Sequence, residues 1–452
     1  MNSVSQRPFY FVLVVWGEQY RNYFLEFALP SLLAPGNIPA ITGVRPSKFL
    51  IATTAADWDA MHETAVFREL ERHVAPVFLE LPPHPPDRHY WYQAILGHKL
   101  CCEIVVRDRA VRIFTAPDTV YSDGMVAHLH QLALDGAEAV LKLVAPLTRT
   151  DLFVKSLAET GLLPENSARD TGRPLVLAPR QLVKVAFSAL HGASRVTEWE
   201  APYFFGYAAT PWWRVSGGRG MVIDGNFWDV ALIDYSVVKH DSSLLDVRGW
   251  DGDYLMRTIG NLETIYFVRD SDEFHVVSWA SFADPTLRRH RGGEFIKAAA
   301  FRISAYSTAF NAFQRDTLFM PTFVHAGELS KEWNAVEQEA LRTLATLLDP
   351  PRDIERYSRR LPPHRRNFAG LQAKIDACAL PWWRENPFTW GIILYVVIPI
   401  VRLWIRTREF FKNASHARRR IMLALRGDTV SIERLRWHGR RFLARAKGRP
   451  FS

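Results

Sequence analysis

Between Phe9 and Gly124 the chain alternates four times between short apolar runs and longer amphipathic stretches. The runs are "FYFVLVVWG", "KFLIATT", "APVFLEL" and "AVRIFTA", each rich in β-branched or aromatic residues and closed by a turn signal. Continuous apolar runs of this length read as strands buried on both faces, and the stretches between them carry helical spacing. Two Pro pairs in "PPHPPDRHYW" forbid regular structure between the third run and the helix that follows. Repeated strand–helix alternation over about 140 residues predicts an α/β fold of Rossmann type, a mainly parallel sheet with helices on both faces.

In such sheets ligands sit outside the carboxyl ends of the strands. Trp16–Gly17, Thr53–Thr54, the Pro-rich loop and Asp118 all fall at such ends. The fourth run delivers "TAPDTVYSDG", which places Asp118 and Asp123 between a strand and the helical "MVAHLHQLALDG". Hard divalent cations take oxygen ligands, so carboxylates at a strand end suit a metal-bound diphosphate. The same residues suit a helix start, with Ser122 or Asp123 as cap of a helix beginning near Met125. Both roles stand open at this point.

The net charge of +9 is unevenly spread. Fifteen Lys/Arg and three Asp/Glu lie from Arg402 to Ser452, a net +12, so the first 401 residues carry −3. That body is not a nucleic-acid binder by charge. Asn386–Val401 contains no charged residue, is flanked by Trp382, Trp383, Trp390 and Trp404, and runs into a basic cluster. Sixteen residues fall short of an untilted span. The pattern predicts that 382–420 associates with an anionic membrane surface, the opposing reading being a buried helix with a solvated tail. Three Cys with no C-x-x-C fit a reduced compartment. Neither H-E-x-x-H, G-x-S-x-G, G-x-x-x-x-G-K-[ST] nor G-x-G-x-x-G occurs, which disfavours zincin, α/β-hydrolase, P-loop and dinucleotide-binding readings.

Over residues 8 to 285, and best in "GHKLCCEIVVRDRAVRIFTAPDTVYSDG", the pattern resembles the GT-A fold of nucleotide-sugar-dependent glycosyltransferases. The resemblance implies acidic residues at this strand end that hold Mn²⁺ or Mg²⁺ and, through it, the donor diphosphate. The usual form is Asp-X-Asp, whereas Asp118 and Asp123 stand five positions apart. It further implies Asp118, Asp123 and a distal His, here His275, as metal ligands. A carboxylate at a helix start beside the acceptor acts as general base, and "WDGDY" offers Asp253 first and Asp251 second, with an N-cap as the alternative. Trp16, Thr53, Lys99, Trp213 and Arg214 are the expected donor contacts, by stacking or by pairing with phosphate.

The expected organisation is a catalytic domain over 1–285, with a nucleotide-binding half 1–145 and an acceptor half 196–285. A helical region 286–350 packs on it, and a basic extension 351–452 follows. The expected activity is transfer of a sugar from a nucleotide-sugar to an envelope glycan or lipid-linked acceptor, on the cytoplasmic side of a bacterial inner membrane. The alternatives are a non-catalytic binding or scaffold protein of the same fold, and a glycoside hydrolase with Asp118 and Asp253 as its carboxylate pair.

Overall fold

Phe9–Val14 forms the first strand, β1, and every residue in it is buried. The alternation of side chains along a strand explains how one run serves two cores. Tyr10, Val12 and Val14 join one apolar cluster. Phe9, Phe11 and Leu13 join another on the opposite face. Both faces are therefore covered, as a parallel sheet requires.

The computed structural model describes residues 7–348 except 44–45, 84–89, 144–145, 164–165, 203, 205–209, 216–219, 226–227, 241–257, 260–261, 281–296, 299–300, 303–304 and 306–315. All of these belong to one of two compact units. The apolar stretch 386–401, its basic flank, Asp251 and Asp253 lie outside the described residues. No described helix is long and apolar enough to cross a membrane.

Further strands are β2 (Lys48–Thr53), β3 (Ala75–Glu80), β4 (Val111–Phe114), β5 (Thr119–Tyr121), β6 (Ala139–Leu143) and β7 (Leu147–Thr148). After them come β8 (Trp212–Val215), β9 (Gly220–Ile223), β10 (Trp228–Asp234), β11 (Ile265–Phe267), β12 (Val276–Trp279) and β13 (Thr322–His325). Seven build the central sheet in the order β11-β6-β10-β4-β1-β2-β3. β1 pairs in parallel with β2 and β4, β2 with β3, and β6 with β11. Only β10 runs against its neighbours, β4 and β6. The fold is thus α/β with a mainly parallel seven-stranded sheet between helices. β5, β12 and β7 form a second sheet, and β13, β9 and β8 a third. The stretch expected to be helical from 286 to 350 carries helix Lys331–Leu347 but also β13, which pairs with β9.

Helix Tyr90–Arg107 packs on β1 and β2 through Gly97. A Cβ there would stand 2.5 Å from Val14 Cγ1 and 3.1 Å from Ala52 Cβ. Gly costs helix stability, so close packing is its reason here. Gly97→Val is expected to lower the unfolding free energy by about 2–3 kcal/mol through overpacking, read as a lower urea midpoint.

The chain leaves β1 for β2 and β3 on one side and returns for β4 on the other. Strand order therefore reverses between β1 and β4, and it is outside the carboxyl ends at such a reversal that open α/β sheets bind ligands. β10, being antiparallel, brings its own start to that same rim.

Candidate functional site

Asp118 occupies the turn after β4, beside the point where strand order reverses. The loop is rigidly held. The Ala116 N–H donates to the Tyr121 hydroxyl at 2.7 Å, and that hydroxyl donates to Ala116 O at 3.3 Å. Thr119 Oγ1 meets Ser278 Oγ at 2.7 Å. Trp279 N–H donates to Asp118 O, and the Trp279 ring is boxed by Tyr23, Phe27 and Phe153. The Asp118 side chain is half-buried. Loss of water pushes its carboxyl up to about 6, opposed only by its own backbone N–H.

β10 adds a second carboxylate to this rim. Asp229 pairs with Lys142 Nζ at 2.7 Å. Burial pushes the Tyr121 phenol well up, and the negative charges of Asp118 and Asp229 add to that. Tyr121 thus lies within electrostatic reach of both carboxylates. Thr53, at the carboxyl end of β2, is fully buried, and its Oγ1 has no hydrogen-bond partner among the described residues.

The other expected metal ligands do not gather round Asp118. Asp123 lies past the far end of β5, about 10 Å of extended chain away. Its Oδ1 accepts from Gly36 N–H at 2.6 Å, and its own N–H donates to Leu177 O at 2.8 Å. Nor does it cap the following helix. Helix Met125–Leu134 starts at Gly124 (φ 91°) with no side-chain cap of its own. Asn37 does that work from a distant loop, its Oδ1 accepting from Val126 N–H at 3.1 Å. Ser122 is stapled to His275, with N–H to His275 O and Oγ from His275 N–H, both 2.9 Å. The His275 ring is buried and its basicity falls to about 3, first through desolvation and then through the cations Lys142 and His325.

The donor contacts expected from the middle of the chain are also redirected. Trp213 is 2% exposed and stacks on Trp199 at 5.6 Å, so it belongs to the core and offers no face to a ligand. Arg214 is exposed but forks onto Glu198 at 2.7 and 2.9 Å and lies over the Trp212 ring. Its guanidinium serves the fold. Trp16 is half-buried beside the core, and Lys99 is half-buried on helix Tyr90–Arg107.

A different cluster emerges from the turn after β11. Asp270, Asp272 and His325 bring three potential ligand atoms within 4.8 Å of one another. His325 Nε2 lies 2.7 Å from Asp270 Oδ1 and 3.8 Å from Asp272 Oδ2, while Nδ1 faces Gly327 O at 2.6 Å. Arg180 forks onto Asp272. In sequence the stretch is "RDSDE", which reads as a turn between short strands. The available signal was the Asp-Ser-Asp spacing itself, but its His lies 55 residues on.

No protein-family model matches this chain, and no curated protein does. Among solved structures, one described as a glucose-1-phosphate thymidylyltransferase from Bacillus anthracis, in complex with sucrose, is similar over 32% of this chain and 57% of that one. The identity is 11% and the TM-score 0.22, a likeness that bears on neither substrate nor chemistry.

Proposed function

We propose that this protein is a nucleotide-sugar-dependent glycosyltransferase whose donor diphosphate lies at the carboxyl ends of β1 and β4, against Asp118. The observation that carries the reading is a desolvated carboxylate at the topological switch point, with no cation beside it among the described residues. Asp118 fits a Mg²⁺ or Mn²⁺ ion held in the sparse manner, by one carboxylate with substrate phosphates and water completing the shell. Asp123 does not fit, its Oδ1 being taken by the Gly36 N–H, and the His275 ring lines a cavity with Lys142 and Asp270 instead. Such an ion would supply positive charge to the leaving diphosphate. Lys142 is paired with Asp229 on β10.

The remaining parts of the reading rest on the sequence. Asp253, then Asp251, is the general base for the acceptor hydroxyl. The basic, aromatic-flanked 382–420 holds the enzyme at the cytoplasmic face of a bacterial inner membrane, beside an envelope-glycan or lipid-linked acceptor.

A thermal-shift screen of the full chain against UDP-, GDP-, CMP- and dTDP-sugars, with and without Mn²⁺, tests the donor claim. One nucleotide class is expected to raise the melting temperature, with about 2.7 kcal/mol of stabilisation at a hundredfold excess over Kd. A chain indifferent to all four classes would favour the non-catalytic reading.

A further inference from the structure

We propose that Asp270, Asp272 and His325 form a divalent-cation site, selective for Mn²⁺ or Zn²⁺ over Mg²⁺. The site is separate from that at Asp118 and does not depend on the transferase reading.

Three features lead there. The first is the ligand set, an imidazole and two carboxylates with donor atoms within 4.8 Å of one another. Imidazole favours Zn²⁺ and other transition ions, and carboxylates favour Mn²⁺ among the harder ones. The second is how His325 is oriented. Nδ1 faces the Gly327 carbonyl at 2.6 Å, the backbone contact that fixes the tautomer of a metal-bound imidazole. That leaves Nε2 aimed at Asp270 and Asp272. With both ring nitrogens committed to acceptors, His325 has no free nitrogen to serve as a general base. It needs a cation at Nε2, either a proton or a metal. Arg180, forking onto Asp272, supplies the outer hydrogen bonds that a ligating carboxylate takes.

The third feature is a cavity beside Asp270. Asp270 and Ser271 line a cavity of about 30 Å³ together with Lys142, His275 and Thr322. That volume holds a water or two and excludes a nucleotide. Two buried polar atoms on its wall, His275 Nε2 and Thr322 Oγ1, have no partner among the described residues. A water on the open side of an ion held by three protein ligands would satisfy them, the arrangement of a site with one exchangeable position. Asp270 and Asp272 follow β11 of the central sheet, and His325 ends β13 of the third sheet. The ion would clamp the two sheets where Asp270 already bridges to Phe323.

The test uses the full chain, stripped with chelator and then titrated with Mn²⁺ by electron paramagnetic resonance and with Zn²⁺ by calorimetry, without nucleotide. Wild type is expected to bind a single ion per chain, with Mg²⁺ failing to displace Mn²⁺ at equal concentration. Asp272 is partly exposed, so Asp272→Asn keeps the fold, and it should weaken binding at least about tenfold. Asp118→Asn should leave the titration as it is. His325→Gln should abolish binding, with circular dichroism confirming a folded chain. Failure of wild type to bind either ion at micromolar concentration would overturn the proposal, as would an Asp272→Asn chain that binds as tightly as wild type.

Discussion

Asp118→Asn is expected to abolish donor-dependent sugar transfer and at the same time to stabilise the protein at pH 8. Removing one charge-bearing contact to a developing anion lowers kcat by about 100-fold to 1,000-fold. The stability effect follows from burial. The carboxyl is pushed from 3.8 up to about 6 by desolvation, so the folded state holds its proton more tightly than the unfolded chain does. Well below 3.8 both states are protonated and the residue costs nothing. Stability falls as pH rises from 4 through 6, and above that the folded protein carries the full penalty. The ceiling of that penalty is roughly 3 kcal/mol, lowered by the water that a half-buried group retains. Asn avoids it. Wild type and variant should therefore melt closest together at low pH and diverge towards pH 8, with the variant higher.

A carboxylate that merely capped a helix would behave in the opposite way, since its loss costs about 1 kcal/mol. Melting curves at several pH values separate the two without any knowledge of the donor. A variant less stable than wild type at pH 8 would remove Asp118 from the proposed site. A saturating donor with Mn²⁺ should shrink the difference, because wild type alone gains the cation its carboxylate lacks.

Local sequence revealed the sheet and only part of the site. β1, β2 and β4 are continuous apolar runs, and such runs declare strands without outside help. Their strand ends put Asp118 in the turn after β4, where the structure has it. The insertion of β10 between β4 and β6 had no local signature, because "WDVALID" reads the same wherever it pairs. With it went the placement of Asp229 beside the rim. Trp213 and Arg214 were misjudged for a related reason. A Trp-Trp-Arg run looks alike on a ligand face and in a core, and only the contacts with Trp199 and Glu198 decide. Asp123 was misjudged because its partner, Gly36, lies 87 residues away in the loop "PGNIP".

That loop, "PGNIP", holds the back of the site in place, and Asn37→Ala is expected to be the most damaging single truncation outside the apolar core. The Asn37 amide makes three bonds. Nδ2 donates to Ser31 O at 2.8 Å and to Ser122 O at 3.0 Å, and Oδ1 accepts from Val126 N–H at 3.1 Å. Asn37 is fully buried, so truncation strands the Ser122 carbonyl and the Val126 amide away from water, while Ser31 O keeps the Ala34 N–H. At about 1–3 kcal/mol for each stranded group, the loss should reach about 3–5 kcal/mol. The neighbouring backbone leaves no room to adjust, since a Cβ on Gly36 would lie 2.7 Å from Gly124 N. Gln19→Ala is the control. Its amide also hydrogen-bonds, to the Tyr23 hydroxyl, but in solvent, and its loss should stay within about 0.5 kcal/mol. Urea unfolding of both variants is the measurement. The consequence for function runs through Ser122, which joins Asn37 to the His275 backbone and thence to β12. β12 pairs with β5 and holds Asp118 through Trp279 N–H. Loosening Asn37 should therefore lower kcat at saturating donor even where the variant remains folded. An Asn37→Ala chain with wild-type stability would mean that water replaces the amide and that the loop does not hold β5 and β12 in place.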